Sequence, residues 1–224
     1  MNRQHIVKSF DEEIEILKSK VAHMADEVSV QLTKAIQALT SGDTELAQLV
    51  VEGDHAVNRL QMDIDDYTVN LLARRQPLAQ DLRSIVTTSK IAAELERVAD
   101  YASSISKHVS TLKDPLLEAP VKSFVTMGSI SKEMLTTAIQ SYLNADEELA
   151  RKTWCRDEAI NALYEELLLQ LEKIMLEQPS SIKMCTRLLF VGRCCERIGD
   201  HIKNIAENVH YIARGELMHP GNCR

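Results

Sequence analysis

The segment Glu96-Arg97-Val98-Ala99-Asp100 recurs as Glu196-Arg197-Ile198-Gly199-Asp200, 100 residues further along the chain. Towards the N-terminus the offset grows to about 103 residues, where Glu45-Leu46-Ala47 recurs as Glu148-Leu149-Ala150. Similarity at a nearly constant offset indicates a duplicated structural unit, because each copy has to bury the same apolar face. We therefore interpret the chain as a tandem duplication with a small deletion in its second copy.

The boundary between the two copies falls where two prolines, Pro115 and Pro120, interrupt the helical pattern. We assign residues 1–113 to repeat 1, residues 114–120 to a linker and residues 121–224 to repeat 2. Each repeat then has about 100 residues, which is the size of a small domain.

Helix breaks occur at matching positions in the two repeats. Ser41-Gly42-Asp43 and Asn144-Ala145-Asp146 end the first helix, and each Asp is placed to cap the second. Gln76-Pro77 and Gln178-Pro179 end the second helix, since proline disfavours helical backbone in the residue before it. The predicted fold is all-α, with two tandem three-helix bundles and six long antiparallel helices.

The composition supports long helices and excludes several classes of partner. Aromatic residues make up 4% of the chain, and there are only seven glycines and five prolines. The net charge of −7 disfavours nucleic acid, and no basic run compensates for it. No apolar stretch approaches the roughly 20 residues of a membrane span, and the N-terminus has no apolar signal core. We expect a soluble, cytoplasmic protein with no direct membrane insertion.

The third helix of each repeat carries a pair of acids away from its apolar stripe. Glu96 and Asp100 lie four residues apart on one helical face, as do Glu196 and Asp200. Like charges at this spacing repel each other by a few tenths of a kcal/mol, so their duplication indicates a function. The predicted stripes are Ile91, Leu95, Val98, Ala102, Ile105 and Val109 in repeat 1, and Val191, Cys194, Ile198, Ile202, Ile205 and Val209 in repeat 2.

The second helix supplies matching oxygen donors. Asp54 and Asn58 precede Pro77 by the same distances at which Asp100 and Glu96 follow it. In an antiparallel hairpin, equal distances from the turn place residues at equal heights, and the same relation holds in repeat 2. We name the two sets the first cluster (Asp54, Asn58, Glu96 and Asp100) and the second cluster (Asp157, Asn161, Glu196 and Asp200).

Two interpretations of these clusters are open. Carboxylate and amide oxygens are the ligands that hard cations such as Mg²⁺, Ca²⁺, Mn²⁺ and iron prefer, which makes each cluster a candidate metal site. Alternatively, Asp100 pairs with Arg97, and Asp200 pairs with Arg197 and Lys203, as ordinary solvated ion pairs. The duplication and the hairpin register favour the metal site.

The two Glu-Arg-x-x-Asp segments, together with Arg74-Arg75-Gln76-Pro77 and Asp81-Leu82-Arg83, resemble the PhoU signature over nearly the whole chain. This resemblance implies two three-helix bundles related by pseudo-twofold symmetry, and motifs that bind metal ions in some members. The expected cofactors are divalent ions of Mg, Mn, Fe or Zn. The motif pairs carried over are Glu96 with Asp100, Glu196 with Asp200, Asp54 with Asn58, and Asp157 with Asn161.

The resemblance also implies a regulatory function. A PhoU protein is expected to repress the phosphate (Pho) regulon by linking the ATP-binding subunit of the Pst phosphate importer to a PhoR-type sensor histidine kinase. It is also expected to modulate phosphate uptake, to form a homodimer, and to lie in the cytoplasm, peripheral to the inner membrane through its protein partners.

This chain departs from the family pattern at three positions. Asn58 and Asn161 stand where an acid is common, which lowers the negative charge available to a metal and argues against a multinuclear cluster. Ser181 stands in repeat 2 at the position that matches Asp81.

Other candidate sites are weaker. The five cysteines contain no C-x-x-C pair, and we expect all five to be reduced thiols. His201 is either a nitrogen ligand beside Asp200 or a surface partner of another side chain. Two E-x-x-H pairs, Glu52 with His55 and Glu207 with His210, resemble the ligands of di-metal bundles.

No P-loop or nucleophile motif is present in the sequence, so we expect that the chain is not an enzyme and has no catalytic residues. A metal-dependent helical-bundle enzyme and a purely structural scaffold are the alternatives.

Overall fold

The computed structural model describes residues 3–112, 118–219 and 223. In these residues the chain forms α-helices joined by short turns, and no β-strand is present. The predicted all-α fold is confirmed. The helices are α1 (Arg3–Ser41), α2 (Thr44–Arg75), α3 (Ala79–Val109), α4 (Glu118–Asn144), α5 (Glu147–Glu177) and α6 (Ile182–Arg214), and a 3-10 turn at Pro179–Ser181 precedes α6.

The first turn of each repeat is built in the same way. The carboxylate of Asp43 accepts a hydrogen bond from the Leu46 N–H at 2.9 Å, and that of Asp146 accepts one from the Leu149 N–H at 2.9 Å. Both predicted N-caps are therefore confirmed. The residue before each Asp differs: Gly42 has a φ of 69°, whereas Ala145 holds a similar left-handed conformation at a φ of 51°.

The second turn of each repeat contains the predicted proline break. Helix α2 ends at Arg75, and Gln76 follows in the left-handed conformation just before Pro77. Helix α5 ends at Glu177, and Pro179 opens the 3-10 turn that leads into α6. In both repeats the chain reverses direction within a few residues, so the second and third helices pack side by side.

The two repeats pack against each other through α3 and α6 and through α1 and α4. Gly128 on α4 marks the closeness of one contact, because a Cβ atom there would lie 2.8 Å from Cγ1 of Ile36 on α1. The buried apolar side chains of both repeats join in one core cluster. The molecule thus has the two-bundle, pseudo-twofold architecture that was predicted.

The apolar stripe of α3 is buried as predicted, whereas that of α6 is wider than predicted. Cys194, predicted for the stripe, is only half-buried, and Cys195 is 2% exposed. Helix α6 contacts α3, α4 and α5, so a second row of small residues is also covered. Gly192 belongs to this row: a Cβ atom there would lie 2.8 Å from the Leu167 side chain on α5.

The last residues of the predicted linker are helical. Helix α4 begins at Glu118, so residues 118–120 belong to it, and residues 114–117 lie outside the described part of the chain. Within the described ranges, no helix combines the length and the apolar character needed to cross a membrane.

A disulfide joins Cys155 on α5 to Cys223 near the end of the chain, with Cα atoms 5.6 Å apart. The prediction that all five cysteines are reduced is therefore wrong for these two. The partners are 68 residues apart in the sequence, so the disulfide ties the C-terminal segment to α5. Met218 helps to hold this segment, since its side chain is buried in the core.

Candidate functional site

The first cluster lies between α2 and α3. All four of its side chains are partly buried. Burial raises the pKa of Glu96, and the negative charges of Asp100 and Asp54 raise it further. The acids of the two helices therefore face one another, as the hairpin register predicts for residues at equal heights.

Two oxygens of the first cluster have no hydrogen-bond donor in the described part of the chain. They are Oδ1 of Asp54 and Oδ1 of Asn58, and both are buried. Burial also raises the pKa of Asp54, and the negative charge of Asp100 raises it further. Buried oxygens usually have a partner, so this cluster has the chemistry of a site that accepts a cation.

The second cluster lies between α5 and α6 and is more deeply buried. Asp157 is 1% exposed, and among the described residues neither its Oδ1 nor Oε2 of Glu196 has a hydrogen-bond partner. Burial raises the pKa of Glu196. The negative charge of Asp200 raises it further, and that of Asp157 makes a smaller contribution.

Lys203 contacts the second cluster in a way that the sequence did not predict. Its Nζ donates to Oδ2 of Asp157 at 2.9 Å, and the Asn161 amide donates to the same oxygen at 3.2 Å. The ion-pair alternative placed Lys203 against Asp200, whereas the lysine pairs with Asp157. Lys203 and Asp200 are neighbours on α6, but the lysine ammonium lies 4.8 Å from the centre of the Trp154 ring on α5.

The ion pairs of the alternative interpretation are otherwise present. Arg97 donates to Asp100 at 3.3 Å, and Arg197 donates to Asp200 at 3.1 Å. The arginine side chains are 60% and 43% exposed, so these pairs contribute little to stability. Within the described residues they leave Oδ1 of Asp54, which is buried, without a donor.

The donor chemistry of the clusters fits a divalent cation better than their present geometry does. Within residues 3–112, 118–219 and 223, no three His, Cys, Asp or Glu side chains form a ready ligand set. The prediction of a metal in each repeat stays a prediction.

A polar contact that sequence reasoning missed lies between the clusters, where α3 crosses α6. The His201 ring is hydrogen-bonded through Nδ1 to Oε2 of Glu94 at 2.7 Å, and Asn204 donates to the same oxygen at 3.1 Å. His201 also stacks on Tyr101. The only signal in the sequence is that Tyr101 and His201 hold matching positions in the two repeats.

The two E-x-x-H pairs do not assemble into a site. Glu52 is exposed and accepts a hydrogen bond from Gln48, and His55 is exposed. His210 lies 3.3 Å from Glu147 at the start of α5. The ligands of a di-metal centre are therefore not brought together in the described chain.

A groove runs along α3 beside the end of α6. Leu82 and Val86 expose about two-fifths of their surfaces there, at 41% and 39%. The cationic groups of Arg83 and Lys90 lie 5.9 and 5.7 Å from the centre of the Tyr211 ring. We call these five residues the basic groove, which stands out in a chain of net charge −7.

Two stretches of the chain, 21–109 and 124–209, match the model of the PhoU domain. The chain belongs to the PhoU family. The matched stretches cover α2, α3 and α5, the second half of α1 and most of α4 and α6, so each cluster lies within one PhoU domain.

Relatives in the PhoU family resemble the chain over nearly its full length. A Caulobacter vibrioides protein, described as a phosphate-specific transport system accessory protein PhoU homolog, is 38% identical over 96% of this chain and 94% of its own. The phosphate-specific transport system accessory protein PhoU of Escherichia coli K12 is 34% identical over 95% of this chain and 88% of its own length.

Solved PhoU structures share the fold. The crystal structure of PhoU from Pseudomonas aeruginosa matches with a TM-score of 0.86 and 34% identity, covering 92% of this chain and all of that one. The crystal structure of the phosphate transport system regulatory protein PhoU from Streptococcus pneumoniae matches with a TM-score of 0.88 and 31% identity. The match covers 94% of this chain and 99% of that one. The Caulobacter vibrioides and Escherichia coli relatives are described as accessory proteins, and the Streptococcus pneumoniae structure as that of a regulatory protein.

Proposed function

We propose that the chain is an accessory protein of the phosphate-specific transport (Pst) system and a negative regulator of the Pho regulon. In this role it couples the ATP-binding subunit of the importer to a PhoR-type sensor histidine kinase and modulates phosphate uptake. The observation that carries the proposal is the similarity of both repeats, over nearly the whole chain, to accessory proteins of phosphate transport. The proposal places it as a homodimer in the cytoplasm, held at the inner membrane by these partners.

The basic groove is the surface that we assign to the importer's ATP-binding subunit. Arg83 and Lys90 give it a positive rim, and Leu82 and Val86 give it an apolar floor. A partner segment with acidic residues around an apolar side chain complements both features. The proposed occupant is a segment of that chemistry.

The proposal includes divalent cation binding by the carboxylates. A cation would offset the repulsion between Glu96, Asp100 and Asp54. The buried oxygens of Asp54 and Asn58 that lack donors support this role for the first cluster. The second cluster offers weaker support, because Lys203 already contacts Asp157.

The regulatory proposal is tested by deleting the gene in its own organism. We expect phosphate-starvation genes to be expressed in phosphate-rich medium, and the wild-type gene to restore repression. Normal repression in the deletion strain would refute the proposal. Co-purification of the ATP-binding subunit should be weakened by Val86→Asp and unaffected by Val125→Asp, a matched change at a 50% exposed valine on α4.

The metal proposal is tested separately by isothermal titration with Mn²⁺ or Mg²⁺. The binding signal should disappear when Glu96, Asp100, Glu196 and Asp200 are all changed to Ala. The matched control removes the same charge from four exposed acids, Glu12, Asp26, Glu158 and Glu165. A signal that persists in the first variant would refute metal binding at the clusters. Turnover of phosphate esters by the metal-loaded protein would instead support the enzyme alternative.

A further inference from the structure

The two clusters differ in the positive charges that accompany them. We infer that Lys203 and Arg193 are the resident cations of the second cluster and that they keep divalent metal ions out of it, leaving the first cluster as the chain's divalent metal site. The inference deepens the proposed metal binding and rests on it for the first cluster alone.

The charge balance of each cluster carries this inference. In the second cluster, Lys203 pairs with Asp157 at 2.9 Å, Arg193 with Glu196 at 2.7 Å and Arg197 with Asp200 at 3.1 Å. Three carboxylates therefore meet three cations. Because charge is already balanced within the protein, a divalent ion has little to gain there.

The first cluster lacks two of these three cations. The positions that match Lys203 and Arg193 are Ser103 and Ala93, so among the described residues its three carboxylates have Arg97 alone as an ion-pair partner. Lys107 and His55 lower the pKa of Asp54, and His201 lowers that of Glu96, but none of the three forms an ion pair with these carboxylates. Two negative charges are left, which is what a divalent cation would neutralise.

The structure explains why Lys203 is held firmly. Asp157 is 1% exposed, and a carboxylate buried this deeply requires a positive partner. Gly199 leaves space for the Asp157 carboxylate, because a Cβ atom at residue 199 would lie 2.8 Å from Oδ1 of Asp157. On its other side the ammonium lies 4.8 Å from the centre of the Trp154 ring.

Repeat 1 has none of these features. Ala99 stands at the position of Gly199, and Val51 at the position of Trp154. Asp54, the counterpart of Asp157, is only partly buried, and the Ser103 hydroxyl is buried without a hydrogen-bond partner. A lysine that extended into the first cluster would therefore lack the aromatic face and the buried carboxylate that hold Lys203.

Trp154 is the only tryptophan in the chain, and its ring lies 4.8 Å from the ammonium of Lys203, so it reports on metal bound in the second cluster. Tb³⁺ prefers oxygen ligands, as Ca²⁺ does, and emits when it binds near an excited tryptophan. The parent protein for the test carries Glu96→Ala and Asp100→Ala, which remove the first cluster. Adding Arg193→Ala and Lys203→Ser gives the second cluster the residues of repeat 1.

We expect no tryptophan-sensitised Tb³⁺ emission from the parent and strong emission from the variant with Arg193→Ala and Lys203→Ser. Lys203→Arg in the parent is the matched control. It keeps the positive charge, so it should show no tryptophan-sensitised Tb³⁺ emission. Tb³⁺ emission from the parent would overturn the inference. Absence of emission from the variant with Arg193→Ala and Lys203→Ser would also overturn it, provided that circular dichroism shows the variant to be folded. If the double change unfolds the chain, the single Lys203→Ser variant takes its place, with the same expected emission.

Titration of the intact chain with Mn²⁺ completes the test. The wild type should bind one ion and the variant with Arg193→Ala and Lys203→Ser should bind two. A wild type that binds no ion would refute the proposed function of the first cluster, whereas emission from the second cluster of the variant would still support the role of Lys203 and Arg193. The two proposals thus fail separately.

Discussion

Tyr101 and His201, which hold matching positions in the two repeats, stack on each other with ring centroids 5.5 Å apart. Their contact lies where α3 crosses α6, and each ring directly follows an acid of one cluster, Asp100 or Asp200. Because equivalent residues touch only near a symmetry axis, the pseudo-twofold axis passes beside this stack. The two clusters are therefore neighbours across the centre of the molecule.

Removal of the His201 ring should loosen the contact between the repeats. His201→Ala loses the stack and the 2.7 Å hydrogen bond to Glu94, and we expect the free energy of unfolding to fall by about 1 to 3 kcal/mol. Urea unfolding followed by circular dichroism measures it. His23→Ala, an exposed histidine on α1, should change stability by less than about 0.5 kcal/mol. Equal losses in the two variants would contradict the assigned role.

The first turn of repeat 2 can be improved by a single change. Ala145 has a φ of 51°, where a Cβ atom is unfavourable, so Ala145→Gly should stabilise the chain by about 0.5 to 1 kcal/mol. Gly42→Ala in repeat 1 is the matched inverse and should destabilise it by about 1 kcal/mol, since no atom within 4 Å of the new Cβ complicates the comparison. Thermal unfolding of Ala145→Gly and Gly42→Ala, each compared with the wild type, measures the two changes in stability. Shifts of the same sign would show that the turn conformation does not decide the effect.

The raised pKa of Glu96 makes metal-free stability depend on pH. An acid whose pKa is higher in the folded state binds more protons there, so its favourable contribution is complete below the ordinary carboxyl pKa. That contribution is lost as the pH rises through the raised folded-state value. Glu96→Gln removes the loss, and the variant should gain stability relative to the wild type as the pH rises.

Thermal unfolding in EDTA, from about pH 4 to about pH 7, measures this difference. Glu12→Gln on α1 is the control, because this side chain is exposed and its curve should run parallel to that of the wild type. A Glu96→Gln curve that also stays parallel would show that the cluster does not repel Glu96 in the folded protein.

The disulfide gives a simple count of thiols. Protein purified without reductant and then denatured should show three reactive thiols, from Cys185, Cys194 and Cys195. After reduction the count should rise to five. Cys223→Ser should leave four thiols before reduction. Five thiols in the unreduced wild type would show that Cys155 and Cys223 are not joined.

Local signals in the sequence predicted much of the fold. The N-caps Asp43 and Asp146 and the breaks at Pro77 and Pro179 act over a few residues, so their effects do not depend on the rest of the molecule. The offset between the repeats predicted that both halves would have one design. Hairpin arithmetic placed Asp54 level with Asp100, because helical rise is the same everywhere along a helix.

Contacts that depend on helix rotation were not predictable in this way. The ion-pair alternative paired Lys203 with Asp200 on its own helix, but the side chain extends to Asp157 on α5. Cys194 was expected in the core instead of Cys195, because the pattern on α6 does not reveal that α5 covers a second row of small residues.

The sequence by itself determined the all-α class, the duplication and the family, because these depend on periodicity, helix breaks and motif spacing along the chain. Only the tertiary structure decided how the charges of the two clusters are balanced and which cysteines are joined. A side chain such as that of Lys203 can reach several partners, and its choice depends on the rotation of neighbouring helices and on the space left by Gly199. Those are properties of three-dimensional packing, which spacing along the chain does not encode.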